Sequence, residues 1–107
     1  MTDEFIFEQA EKFACEKIVE LENKVGKLDY RQIIWIKRSF FVYNVLNSGW
    51  LTPKERPKKI KTLGEKLKYS RAQIYNYKDA GGRLLHHINY KKETLPQTLT
   101  EFLGLIN

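Results

Sequence analysis

Residues 70–76 bring together side chains whose hydrogen-bonding groups match the edges of base pairs. Arginine can donate two parallel hydrogen bonds to guanine, and glutamine or asparagine can pair in the same bidentate way with adenine. A small methyl side chain can contact the methyl group of thymine, while hydroxyl groups both donate and accept. The candidate base-reading residues are Ser70, Arg71, Ala72, Gln73, Tyr75 and Asn76.

Lysine side chains near these residues suit contacts with phosphate. The segment from Lys54 to Lys78 is strongly basic, and the whole chain carries a formal net charge of +6. This balance favours an acidic partner, with nucleic acid first and an anionic membrane second. Phosphate contacts position a protein on DNA without specifying the sequence that it reads. The candidate phosphate contacts are Lys58, Lys59, Lys61, Lys66 and Lys78.

The segment from Ile60 to Asp79 resembles the helix-turn-helix of bacterial repressors and partition proteins. The resemblance implies two short helices joined by a turn, with the start of the second helix in the major groove of DNA. It also implies a small residue where the two helices cross closely, a polar cap on the second helix and a branched apolar residue that locks the helices together. The residues that carry the resemblance are Leu63, Gly64, Leu67, Tyr69, Ser70 and Ile74.

One position departs from the pattern of that family. Lys68 stands where the family usually has glycine in the turn. Glycine suits that position because the backbone takes a positive φ there, which costs a lysine roughly 1 kcal/mol. Other residues do occur at the position, so we expect a turn that is adjusted rather than absent.

Other candidate sites are weaker, and no cofactor or small-molecule ligand is indicated. His86 and His87 are adjacent, so on a helix they point about 100° apart and are poorly placed to share a metal ion. Gly81 and Gly82 follow no strand, and we interpret them as a helix terminator rather than a phosphate-binding loop. Cys15, the single cysteine, is expected to be a small buried residue. No nucleophile–base–acid set is evident, so we do not expect an enzyme.

Apolar spacing predicts the helices that must position these residues. A first helix over 4–24 has an apolar stripe, a cap at Thr2 or Asp3 and a stop at Gly26. A second helix begins at Asp29 and continues to Leu46. Its apolar residues cover most of its circumference, and this much apolar surface is hard to hide in a small monomer. We therefore expect a dimer.

Proline and glycine divide the basic half of the chain. Residues 50–57 are predicted to form a loop, followed by a helix over 58–68 and a second helix from Arg71 to about Lys78. A break is expected at 79–82, and a further turn or short helix at 83–89. A last helix is predicted to start at Leu95 and Pro96 and to dock on the basic unit. Its apolar face comprises Leu99, Phe102, Leu103 and Ile106.

These elements predict an all-α fold, a small helical domain with an N-terminal helical pair and a C-terminal helix-turn-helix unit. Residues 1–107 form one domain, in which 1–49 supply the core and dimer contacts and 50–107 supply the DNA-binding part. The acidic N-terminus does not resemble a signal peptide, and no apolar run is long enough to cross a membrane. We therefore expect a cytoplasmic protein.

The preferred function is sequence-specific binding of double-stranded DNA by a dimeric transcriptional regulator. Its two half-sites would lie about 34–36 Å apart, or a multiple of that spacing. A plasmid or phage partition or replication factor is the alternative within DNA binding, because such proteins use the same motif. A protein–protein interaction module with a basic docking face is a second class. A third is a binder of single-stranded nucleic acid, because tyrosines interleaved with basic residues could stack on bases.

Overall fold

A computed structural model describes residues 2–47 and 52–90 of the chain, which form four α-helices and no strand. Helix α1 comprises Asp3–Val25, α2 Tyr30–Asn47, α3 Arg56–Leu67 and α4 Arg71–Tyr90. One cluster of buried apolar side chains draws on all four helices. The predicted all-α fold is therefore confirmed.

Helix α1 begins and ends where the sequence predicts. The Thr2 hydroxyl accepts a hydrogen bond from the backbone N–H of Phe5 at 3.2 Å, which satisfies one of the free amides of the first turn. Gly26 ends the helix with a φ of 90°, and its N–H donates to the carbonyl of Glu22 at 2.9 Å. Between these ends, a stripe of small and branched residues faces the core: Ile6, Ala10, Ala14, Ile18 and Leu21.

Cys15 lies beside this stripe rather than in it, so the expectation that it is buried is wrong. Neighbouring residues on a helix are rotated by about 100°, and the buried positions run through Ala14 and Ile18. The thiol of Cys15 is therefore exposed, and its sulfur lies 4.0 Å from a carboxylate oxygen of Glu11.

Helix α2 forms the centre of the fold. Its start is fixed by a reciprocal pair in which the Gln32 N–H donates to the Asp29 carboxylate at 2.9 Å and the Asp29 N–H donates to the Gln32 side chain at 3.0 Å. Both α1 and α4 pack against α2. Its buried residues are Ile36, Ser39, Phe40, Phe41, Val42, Val45 and Leu46.

This packing hides most of the apolar surface of α2 within a single chain, while Trp35 and Tyr43 stay half-buried. The surface was the reason to expect a dimer, and that reason does not hold, because α1 and α4 supply the cover that a second copy would have supplied. The dimer itself stays a prediction.

Helix α4 continues through Asp79, Ala80, Gly81 and Gly82, so the predicted break at 79–82 is wrong. The two glycines lie inside the helix, where glycine costs about 1 kcal/mol relative to alanine. Gly81 is needed because α4 crosses α2 very closely there. A Cβ atom on Gly81 would lie 2.8 Å from the Cβ of Tyr43 and closer still to the carbonyl oxygen of Ser39.

The far end of α4 is fixed to α1. The ammonium group of Lys24 donates a hydrogen bond to the carbonyl oxygen of Ile88 at 2.9 Å. Leu84 and Ile88 are fully buried, so residues 83–89 continue α4 instead of forming a separate turn. The predicted last helix from Leu95 lies outside the described residues. No helix in the described ranges is both long and apolar enough to span a membrane.

The two glycines of α4 provide a matched test of this close crossing. Both G81A and G82A should gain about 1 kcal/mol of helix propensity. The G81A methyl group would meet the backbone of α2, and overpacking of this kind typically costs 1–3 kcal/mol or more. At Gly82 the nearest atom is a ring carbon of Tyr43 at 3.1 Å, and a side chain can shift more easily than a backbone.

We therefore expect G82A to have a higher free energy of unfolding than G81A by about 1–3 kcal/mol in urea titrations. Equal stability of the two variants would show that the helices do not approach each other this closely in solution.

Candidate nucleic-acid interface

Helix α3 starts two residues before the predicted position. Pro57 lies in its first turn, where the missing N–H of proline has no helical partner to lose. Just before the helix, the Glu55 N–H donates to the carbonyl of Thr52 at 3.0 Å, and the Thr52 hydroxyl donates to the Glu55 carboxylate at 2.9 Å. Ile60 and Leu63 turn inwards and are buried.

The three residues 68–70 join α3 to α4. Lys68 has a φ of 59° and a ψ of 44°, which is the left-handed conformation that glycine adopts most readily. The N–H groups of Lys68 and Tyr69 both donate to the carbonyl of Gly64, the second at 3.0 Å. Lys68 itself therefore takes the positive φ, and the expected adjustment of the turn is not seen.

Position 64 requires a small residue, but for a different reason from the predicted close crossing of the second helix. A Cβ atom added at Gly64 would lie 3.0 Å from the carbonyl oxygen of Tyr69. The tight neighbour is therefore the backbone of the turn rather than the side of the second helix. A larger residue at this position would push the turn away from α3.

The start of α4 is fixed by a reciprocal pair of hydrogen bonds of the same kind as at the start of α2. The Gln73 N–H donates to the Ser70 hydroxyl at 3.2 Å, and the Ser70 N–H donates to the amide oxygen of Gln73 at 2.8 Å. Bidentate pairing with adenine needs both the oxygen and the amino group of a glutamine. Because its oxygen already serves the helix start, Gln73 positions α4 more than it offers itself to a base.

The remaining candidate readers lie on the exposed face of the first two turns of α4. Arg71, Ala72, Tyr75 and Asn76 are all exposed, whereas Ile74 is fully buried. The guanidinium of Arg71 lies 5.7 Å from the centre of the Tyr75 ring, within the range of a cation–π contact. One side of this short stretch is thus free for a ligand while the other side packs on the protein.

A row of aromatic rings holds the turn against α2. The Tyr69 and Tyr77 ring centres are 5.2 Å apart, and Tyr77 lies 5.8 Å from Trp35 of α2. The guanidinium of Arg38 lies 5.4 Å from the Tyr69 ring. Burial, together with the neighbouring Tyr77 hydroxyl, raises the pKa of Tyr69 above its ordinary value. The sequence analysis did not find Trp35 and Arg38, because their proximity depends on how α2 and α4 pack.

The five candidate phosphate lysines fall into three environments. Lys58 and Lys61 are exposed on the outer side of α3. Lys59 forms an ion pair with Asp3 of α1, and the Lys66 ammonium lies 5.0 Å from the centre of the Phe7 ring. Lys59 and Lys66 are seven residues apart and so share a helix face, which here turns towards α1.

Lys78, the fifth of these lysines, is half-buried and lines a groove between α2 and α4 of about 1040 Å³. A smaller pocket of about 450 Å³ lies between α3 and the start of α4, and both Lys61 and Arg71 line it.

The described residues include no cluster of three or more groups that could hold a metal ion. His86 is exposed.

Comparison with known proteins identifies no relative of this chain. No family model matches the sequence, and neither a curated protein nor a solved structure matches it.

The strained lysine of the turn gives a direct test of its geometry. K68G should raise the free energy of unfolding by about 1 kcal/mol, because glycine adopts a positive φ without the clash that Cβ causes. K61G is the control, since it places glycine at an exposed position inside α3 and should lower stability by about 1 kcal/mol. Thermal and urea unfolding of both variants measure the difference. A loss of stability in K68G would contradict the left-handed turn.

Proposed function

We propose that this protein binds double-stranded DNA by placing the first two turns of α4 in the major groove. The observation that carries the proposal is the turn at 68–70, whose left-handed Lys68 joins α3 to a helix with an exposed polar face. A recognition helix needs this combination, because its polar face must reach base edges while its other face is held by the protein.

The two readers with the best-placed side chains are Arg71 and Asn76. Both are exposed, lie on the first two turns of α4 and can make bidentate hydrogen bonds with guanine and adenine respectively. Each such pair is worth about 1–3 kcal/mol of discrimination against the wrong base. Ser70 and Gln73 hold the helix start in place, and Ala72 and Tyr75 complete the exposed face.

The charge distribution supports a polyanionic partner. Lys58, Lys61 and Arg71 are exposed at the outer side of α3 and the start of α4. None of the three forms an ion pair with a carboxylate in the described part of the chain. Cations in this state are available to phosphates, and their contacts would make binding strongly dependent on salt.

Regulation of transcription as a homodimer is the role that this proposal includes, with a palindromic operator as its consequence. A partition or replication protein would use the same contacts, so the proposal for the site does not depend on the choice between these roles.

Fluorescence anisotropy with duplex DNA tests the proposal. The wild-type protein should bind random duplex at low salt, lose affinity as salt increases and enrich particular sites in a selection experiment. R71A/N76A should keep salt-dependent binding but lose the preference for the enriched sites. Gln73 is left unchanged because its removal would also loosen the start of α4.

The control is K12A, which removes one positive charge from the exposed side of α1, away from the site. It should bind the enriched sites as the wild type does. Failure of the wild type to bind any duplex at low salt would reject the proposal and favour a protein–protein role for the basic face.

Single lysine substitutions test which side of α3 faces the phosphates. K58A and K61A should each weaken binding to all sequences alike and reduce the slope of log affinity against log salt by about 1. K59A and K66A should change this slope less, because their ammonium groups contact Asp3 and Phe7 of α1. Equal slopes for all four variants would show that the inner lysines leave α1 to bind DNA.

A further inference from the structure

The groove between α2 and α4 has a volume of about 1040 Å³. Aromatic side chains from both helices line it, with Trp35 and Tyr43 on α2 and Tyr77 on α4. All three are half-buried, so each ring leaves part of its apolar surface uncovered. The proposed interaction with DNA uses Asn76 at one end of this lining and leaves the aromatic residues unexplained.

We propose that residues 95–106 of the same chain dock in this groove as an amphipathic helix. These residues follow α4 after a connection of four residues, 91–94, and their apolar positions repeat at the three- and four-residue spacing of one helix face. The face consists of Leu95, Leu99, Phe102, Leu103 and Ile106.

The length of the segment 95–106, as a helix, fits the length of the groove. A helix of twelve residues is about 18 Å long. The groove follows α4 from His86 back to Gln73, a distance of about 20 Å at 1.5 Å per residue. The segment therefore has the reach to fill the groove if it returns antiparallel to α4.

The connection between α4 and the segment 95–106 is also long enough for this docking. His86 lines the groove only one turn before α4 ends at Tyr90. Residues 91–94 can span at most about 14 Å, and packed helices lie 8–10 Å apart. A chain leaving α4 at Tyr90 can therefore reverse and enter the near end of the groove.

The lining of the groove carries both signs of charge, with Asp79 beside Lys78 and Arg83. Charge therefore does not select the occupant, and the proposal stands on the apolar face of the segment, its length and the length of the connection. It does not require DNA binding, since it concerns only contacts within the chain, although the docked segment would lie beside Asn76, one of the proposed readers.

Paramagnetic labelling of the full-length chain tests this docking. A nitroxide is attached at Thr100→Cys in a Cys15→Ser background, on the side of the segment away from its apolar face. Amide signals of groove residues such as Asn76, Ala80 and Gly82 should weaken, while those of Lys12 and Val19 on the exposed side of α1 should not.

Two substitutions in the labelled chain separate docking from chance proximity. F102D places a charge on the apolar face and should restore the groove signals, and L99D should do the same. Q97D introduces the same charge on the opposite face and should leave the weakening unchanged. The dispersion of the same spectra reports whether each variant is folded. Groove signals that are never weakened, or weakening that survives both F102D and L99D, would overturn the proposal.

A mixed sample identifies whose segment is in the groove. Isotope-labelled chains without nitroxide are combined with nitroxide-labelled chains that are invisible in the spectrum. The proposal expects no weakening in this sample. Weakening of the groove signals here would show that the segment of a second copy occupies the groove, and would overturn docking within one chain.

Discussion

The close crossing of α2 and α4 is the constraint on which the rest of the structure depends. At Gly81 the two backbones approach until no side chain fits between them, and the carbonyl of Ser39 lies against the bare Cα. This contact fixes the second half of α4 on the central helix. Because α4 is one continuous helix, the position of its first half follows from the same contact. The exposed polar face at 71–76 therefore has a rigid support about one and a half to three turns away.

Helix α3 is held by interactions of another kind. It contacts α2 and α4 through a small apolar face, and its inner lysines reach α1 through an ion pair with Asp3 and a contact with the Phe7 ring. The row formed by Tyr69, Tyr77 and Trp35 ties the turn to the centre of the fold. The positive charges of α3 thus lie in two environments: Lys59 and Lys66 contact α1, whereas Lys58 and Lys61 are exposed on the outer side.

Local signals in the sequence predicted local structure well. The pairs Asp29 with Gln32 and Ser70 with Gln73 mark the starts of two helices, because each pair satisfies its own backbone amides without help from distant residues. The prediction that Gly81 and Gly82 end a helix was wrong for the opposite reason. A glycine pair has the same local pattern whether it ends a helix or allows a close crossing, and the deciding contact lies about forty residues away at Ser39. The separation of the basic residues into inner and outer sets likewise depends on which helix each one meets.

The two halves of α4 differ in how well they can tolerate substitutions. From Ala80 onwards its inward positions are committed to the core, with Leu84 and Ile88 fully buried and Gly81 confined by α2. Within residues 71–76 only Ile74 is buried, and the residues around it face solvent. The outer positions of this stretch can therefore be exchanged in sets while the packing beneath them stays as it is. A scaffold of this kind permits a lineage to acquire new ligand preferences through a few surface replacements, without passing through poorly folded intermediates.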